Sequence, residues 1–323
     1  MKVDYQKICS DLLQVLPEKQ RTILARRYGL KNNKRETLEF IGEDYGITRE
    51  RVRQVESDGF LKLKPKTPKY QGVFTYFEKH LESNGGLKRE DLLLEQLGGR
   101  KEKNQVYFLL NLGQKIERFG ETEELYSLWA VDEKALLKAK KVINFAFDKL
   151  QKRGKPLLLK DFKYNSLGLK PLNSYLEISK KIQKNKEDFF GFKNWPEINP
   201  KGVKDKAYLI FKKAQKPLHF TKVADLLDSK SVQTVHNELI RDPRFTLVGR
   251  GIYALAEWGY MPGDVKDIIV KILEESKKPL TKEEILNEVL KQRLVKENTI
   301  LLNLSNKNYF QRNSRGHYIV RET

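Results

Sequence analysis

The chain has 323 residues, of which 39% are hydrophobic, and 63 Lys and Arg stand against 43 Asp and Glu for a formal net charge of +20. That length suits roughly two to four ordinary domains, or more small ones with modest cores. The charge favours a polyanionic partner, with an anionic membrane surface as the competing explanation. The single cysteine, Cys9, excludes an internal disulfide and a multi-thiolate metal centre. No apolar run approaches the roughly 18–20 residues of a membrane span, and MKVDYQKICSDLL lacks a signal-peptide core, so a cytoplasmic protein with no membrane partner is expected.

In chain order, the densest signal is residues 37–63, TLEFIGEDYGITRERVRQVESDGFLKL. Leu38 and Ile41 recur at helical spacing, and Tyr45-Gly46-Ile47 interrupts the pattern where a helix-turn-helix turns. Gly46 takes a left-handed conformation at little cost. Thr48 stands where an N-cap belongs, and Glu50 suits the positive end of the second helix's dipole. Val52 and Val55 then face inward, while Arg49 and Arg53 share an outer face with Glu50 and Gln54 beside them. Arginine matches the guanine O6/N7 edge, glutamine the adenine N6/N7 edge and glutamate the cytosine amino group. These four are therefore a candidate base-reading set for a major groove.

LPEKQRTILARRYGL followed by TLEFIGEDYGITRERVRQVE resembles region 4 of housekeeping-type bacterial sigma factors, the part that binds the minus-35 promoter element. The resemblance rests on Leu16-Pro17, Arg27-Tyr28-Gly29-Leu30, Thr37-Leu38, Gly42 and the run from Gly46 to Glu56. It implies that Arg49, Glu50, Arg53 and Gln54 face the bases, and that Arg26, Leu38, Glu39, Thr48 and Arg51 lie near backbone phosphates. It also implies RNA polymerase as a partner. Asp58 and Leu61 stand where that family usually has basic residues, and Gly59 replaces its usual alanine.

Residues 64–69, Lys-Pro-Lys-Thr-Pro-Lys, read as an extended, solvated linker, because two prolines in quick succession disfavour helix. Beyond them one order of elements occurs four times, at a period of about sixty to seventy residues: apolar-faced helix, turn, second helix, third helix, strand-turn-strand. The expected fold is mainly α with small β-hairpin wings: a helix-turn-helix domain at 1–66, then winged-helix units at 70–131, 133–199, 202–262 and 264–323. Leu87, Pro156-Leu157, Pro217-Leu218 and Pro279-Leu280 anchor the turns. Trp129, Trp195, Trp258 and Tyr318 are expected to close the cores from one structural position in each unit.

In the first unit Phe74, Phe77 and Leu81 form the helix stripe, and in the second, the most divergent, Val142, Phe145, Ala146 and Leu150 pack inward. The third resembles the HARE-HTH domain, the winged-helix type of the RNA polymerase delta subunit. The resemblance is carried by Lys216-Pro217-Leu218-His219-Phe220, Asp242-Pro243-Arg244-Phe245 and Gly249-Arg250-Gly251-Ile252-Tyr253-Ala254-Leu255 with Trp258. Gly249 and Gly251 flank Arg250 at a hairpin tip, where positive φ is wanted and a basic side chain can meet a phosphate. In the fourth unit Thr281-Lys282-Glu283-Glu284 reads as a capping box, and Arg312 and Arg315 lie near the wing turn. Arg250, Arg312 and Arg315 are thus candidate wing contacts.

No GxxxxGK[ST] loop, GxSxG elbow or HExxH cluster occurs, and the carboxylates interleave with lysines as solvated helix-face pairs. No catalytic residue, metal, cofactor or small-molecule substrate is expected. The expected function is that of a bacterial, sigma-factor-like transcription protein at the nucleoid, binding promoter-like double-stranded DNA through its recognition helix. The alternative is an RNA polymerase-associated, delta-like protein that docks through its winged-helix units. Stand-alone sigma activity is not expected, since a minus-10-melting module normally precedes region 4.

Overall fold

Side-chain caps set most helix starts in the N-terminal part. Asp4 accepts from the Lys7 amide and opens α1 (Tyr5–Leu13), and Pro17 stands directly before α2 (Glu18–Arg27), where its missing amide is no loss. Thr37 caps α3 (Leu38–Tyr45) and Thr48 caps α4 (Arg49–Leu63). The computed structural model describes residues 3–229 and 231–321, and the chain divides into two units, residues 1–194 and 195–323.

The linker expected at residues 64–69 is not extended. A 3-10 helix, Lys64–Tyr70, carries α4 directly into α5 (Gln71–Ser83). Pro65 falls in its first turn, where a proline removes no needed donor. Thr67 is buried, with its hydroxyl donating to the Lys64 carbonyl at 2.7 Å, and the Tyr70 hydroxyl reaches Asp11 at 3.2 Å. The burial of Thr67 and the reach of Tyr70 to Asp11 override the local preference of the two prolines.

After α5 come β1 (Leu87–Arg89), α6 (Glu90–Gly98), α7 (Lys103–Leu112), β2 (Glu117–Phe119) and β3 (Leu128–Ala130), the strands forming an antiparallel sheet in the order β1-β3-β2. One hydrophobic core runs through both segments: Tyr5, Cys9, Leu12, Tyr28 and Leu63 pack with Phe77, Leu81, Phe108, Leu109 and Trp129. The expected stripe of Phe74, Phe77 and Leu81 is buried in it.

The order recurs as α8 (Glu133–Arg153), β4 (Leu157–Leu158), a 3-10 turn (Leu159–Asp161), α9 (Leu169–Glu177), β5 (Ile182–Lys184) and β6 (Phe189–Phe192), with sheet order β4-β6-β5. The middle helix shrinks to one turn here because Lys163 and Asn165 adopt positive φ, 41° and 46°, which a right-handed helix cannot continue through. The Ser174 hydroxyl donates to the Leu87 carbonyl at 2.7 Å and Lys88 pairs with Glu177 at 2.7 Å, so this segment is fastened to the preceding one.

In residues 195–321, α10 (Gly202–Ala214), β7 (Leu218–His219), α11 (Phe220–Leu226), α12 (Val232–Arg241), β8 (Phe245–Gly249) and β9 (Ile252–Leu255) repeat the order, again with the last strand central, β7-β9-β8. They are followed by α13 (Val265–Ser276), α14 (Lys282–Gln292), α15 (Glu297–Leu304), β10 (Phe310–Arg312) and β11 (Tyr318–Val320), with Leu280 bridging Tyr318. Thr281 and Glu284 form the capping box expected of them.

The aromatics do not share one position. Trp129 lies in the middle of a central strand, buried, and donates from its indole nitrogen to Glu90 at 2.9 Å. Trp258 ends a 3-10 turn beyond β9 and is partly buried near Phe211, while Tyr318 opens a strand. Trp195 lies beyond β6, at the first residue of the second unit. The last strands differ in length and placement, so equal spacing in sequence lands the rings at unequal depths.

Candidate nucleic-acid interface

α3 and α4 form a helix-turn-helix whose geometry is local. Gly46 closes α3 in the left-handed conformation at φ 63°, and the Ile47 amide donates to the Gly42 carbonyl at 2.9 Å. Thr48 Oγ1 accepts from the Arg51 amide at 3.2 Å, satisfying one of the free donors of the helix start. Ile23, Ile41 and Val52 are fully buried in a small core beneath the turn, with Leu38, Tyr45, Ile47 and Val55 packed around it.

Burial of Val52 turns the opposite face of α4 outward, and Arg49, Glu50, Arg53 and Gln54 are all exposed on it. Each of these side chains is engaged by a neighbour. Arg49 reaches Glu39 at 2.9 Å, Arg53 grips Glu50 at 2.6 Å, and Arg51 donates to Gln54 at 3.0 Å. The Arg53 guanidinium holds the Glu50 carboxyl below its ordinary range. Pairs this exposed are screened by solvent, so an incoming phosphate or base edge can replace them. The surface is therefore a pre-arranged set of donors and acceptors that open at small cost.

The residues implied in backbone contact are in varied situations. Leu38 begins α3, where Thr37 accepts from the Phe40 amide at 3.1 Å. Arg26 is held by Glu36 at 2.6 Å and by Asp44, and it lies over the rings of Phe40 and Tyr45, each 5.8 Å away. Sequence reasoning missed Glu36 and Asp44, since nothing in their spacing from Arg26 distinguishes them from solvated carboxylates. It also missed Glu56, which accepts from the Tyr28 hydroxyl at 2.8 Å. Asp58 is exposed and Leu61 is 62% exposed, so the tail of α4 presents no cation at either position.

In the C-terminal hairpins, Arg250 is exposed between β8 and β9. Gly251 has φ 68°, as expected of the tip, but Gly249 is required for a different reason: a Cβ there would lie 2.8 Å from the Leu294 carbonyl oxygen. Arg312 donates to the Tyr318 hydroxyl within its own hairpin, while Arg315 is exposed beside Gly316, whose φ is 81°. Among the described residues no group of three or more His, Cys, Asp or Glu is placed to hold a metal, and no helix is long and apolar enough to cross a membrane.

A helix-turn-helix with a capped, outward-facing second helix is thus the element this site is built on. Residues 12–65, which contain it, match the family model of sigma-70, region 4. Among curated proteins, the Bacillus sp RNA polymerase sigma factor SigA is 41% identical over 54 residues, 17% of this chain and 14% of that protein. The chloroplastic RNA polymerase sigma factor sigF of Arabidopsis thaliana is 46% identical over 54 residues, 17% of this chain and 10% of that one. The likeness therefore covers a small share of either partner, and the remainder of this chain lies outside it. Sigma-70 region 4 is a DNA-binding domain and not an enzyme family.

Proposed function

We propose that this is a bacterial DNA-binding transcription protein, cytoplasmic and nucleoid-associated, that reads promoter-like duplex through α4. Arg49, Glu50, Arg53 and Gln54 contact base edges in the major groove, and Arg26, Leu38, Glu39, Thr48 and Arg51 stand toward the phosphates. Residues 1–66 are the sigma region 4-like segment. Residues 70–131, 133–199, 202–262 and 264–323 are four winged-helix units, the third of HARE-HTH type, with Arg250, Arg312 and Arg315 as wing contacts. The mechanism is binding alone: counterion release supplies affinity, and each good base contact adds roughly 1–3 kcal/mol of discrimination.

The observation that carries this reading is the exposure of the four base-reading side chains on one face of a capped helix whose other face is buried, inside the segment matched to region 4. The test is selection from a randomised duplex library by the purified chain and by its Arg49→Ala/Arg53→Ala variant. A motif enriched by the parent and lost by the variant is expected. Enrichment that is identical in both would remove α4 from sequence reading. It would favour docking on RNA polymerase, a reading supported by the two relatives being named RNA polymerase sigma factors.

A further inference from the structure

Charge is unevenly distributed along the chain. Residues 132–194 contain 16 Lys and Arg against 7 Asp and Glu, whereas residues 70–131 contain 8 against 10. In the latter segment cations are engaged: Arg89 with Asp91, Lys103 with Glu95, Lys115 with Glu78 and Arg118 with Glu90. In the former, Lys180, Lys181 and Lys184 pair with Glu121, Glu124 and Asp188. Among the cations of this segment outside those pairs are the lysines of α8.

α8 buries Leu136, Ala139, Val142, Ala146 and Leu150. On its far side Lys134, Lys138, Lys141 and Lys152 fall in one exposed stripe, about 27 Å long at 1.5 Å per residue. Lys149 donates to the Asp161 and Phe162 carbonyls at 2.7 and 2.9 Å, and Phe145 packs edge-on against Tyr164 at 5.1 Å. Those contacts hold residues 159–164 alongside the helix, so the exposed Lys160 and Lys163 widen the basic face. Among the described residues none of these six lysines is in an ion pair. Asp148 is the exposed carboxylate of the same side of the helix, and Asp161 is engaged by the Leu158 amide.

We propose that this face binds the sugar-phosphate backbone of duplex DNA without reading sequence. The inference rests on the DNA-binding role proposed above and adds a second, sequence-blind contact to it. Lysines are flexible point charges suited to phosphates, and they lack the planar fork that reads a guanine edge. The aromatics on this side, Phe145 and Tyr164, are half-buried against each other and are not open to stack on the bases of a single strand. A straight cationic stripe complements the regular charge of a duplex, about one per 1.7 Å of axis. Apposing six unpaired cations on one small unit is unfavourable until a polyanion neutralises them.

The experiment uses the full chain and its Lys138→Gln/Lys141→Gln/Lys152→Gln variant, three exposed changes that spare the core and are checked by an unchanged melting temperature. Affinity for a mixed-sequence duplex without any selected motif is measured over a salt series. The slope of log K against log salt is expected to fall by roughly 2–3 in the variant, near 0.9 for each phosphate contact removed. An unchanged slope overturns the inference, as does a parent chain with no affinity for the duplex. Loss of binding to anionic phosphatidylserine vesicles with duplex binding unchanged overturns it in favour of a membrane surface. The Arg49→Ala/Arg53→Ala variant separates the two proposals: it alters motif choice, whereas the lysine variant alters the motif-free slope.

Discussion

At position 42 a single hydrogen atom decides whether the turn of the helix-turn-helix closes. A Cβ on Gly42 would sit 2.6 Å from the Ile47 carbonyl oxygen, and backbone cannot yield as a flexible side chain would. Alanine there gains helix propensity worth up to about 1 kcal/mol, yet overpacking costs about 1–3 kcal/mol. Gly42→Ala is therefore expected to lower the urea midpoint of the full chain, and an unchanged or higher midpoint would show that the turn can relax. Thr48→Ala removes the cap on Arg51 and is expected to cost about 1 kcal/mol, with Thr48→Asn recovering most of it. If asparagine is no better than alanine in the same denaturation series, the hydroxyl is not acting as a cap.

Between elements, Arg244 plays the corresponding part in residues 202–262. Its guanidinium joins Asp205 of α10 at 2.8 Å and Asp242 at the end of α12 at 2.7 Å, and it lies 4.9 Å from the Tyr208 ring. Hydrogen bonding to Arg244 keeps the Asp242 carboxyl below its usual range. A carboxylate whose folded value lies below its unfolded value of about 3.9 contributes stability that is complete above that pH and is lost as pH falls through the folded value. Arg244→Ala, which leaves both carboxylates without their charged donor, is expected to cost roughly 2–3 kcal/mol at neutral pH. The gap from the parent should narrow below about pH 4. Thermal melts from neutral pH down to about pH 3 check this, and a gap that stays constant argues that Arg244 acts through packing alone.

On the scale of the N-terminal unit, the region 4-like segment is one half of a core. Tyr28 and Phe60 lie 5.3 and 5.6 Å from Phe108, Arg35 stacks 3.8 Å from the centre of the Tyr107 ring, and Asn104 donates to the Gly29 carbonyl. Cys9 is 2% exposed and in contact with the Gln105 carbonyl, 96 positions away. Burial, reinforced by Glu102, pushes its thiol far above the ordinary thiol range. The sole cysteine is thus a probe of this packing. In the full chain at pH 8 it is expected to resist an aromatic disulfide reagent until denaturant is added, whereas a fragment ending at residue 66 should react at the rate of an unfolded thiol. A fragment that shields Cys9 as well as the full chain does would mean that the segment folds by itself.

The sequence by itself determined what is satisfied within a turn or two of chain. Gly46, Thr48 and Val52 specify the turn, the cap and the buried face of α4 from adjacent positions, and Thr281 with Glu284 specifies another helix start in the same way. Helices such as α5, with its buried Phe74, Phe77 and Leu81, were legible because hydrophobic period is also a local property, whereas the second helix expected in residues 133–199 is a single 3-10 turn. Tertiary structure alone decided which surfaces are covered and which charges are free. Arg26 is engaged by Glu36 and Asp44, Gly249 by the approach of Leu294, and residues 64–70 by the burial of Thr67, none of which their neighbours in sequence announce. The lysines of α8 likewise look like any charged helix face until the ion pairs of the adjoining segment are known. Burial and pairing are set by segments distant in sequence, whereas caps and periodicity close on themselves.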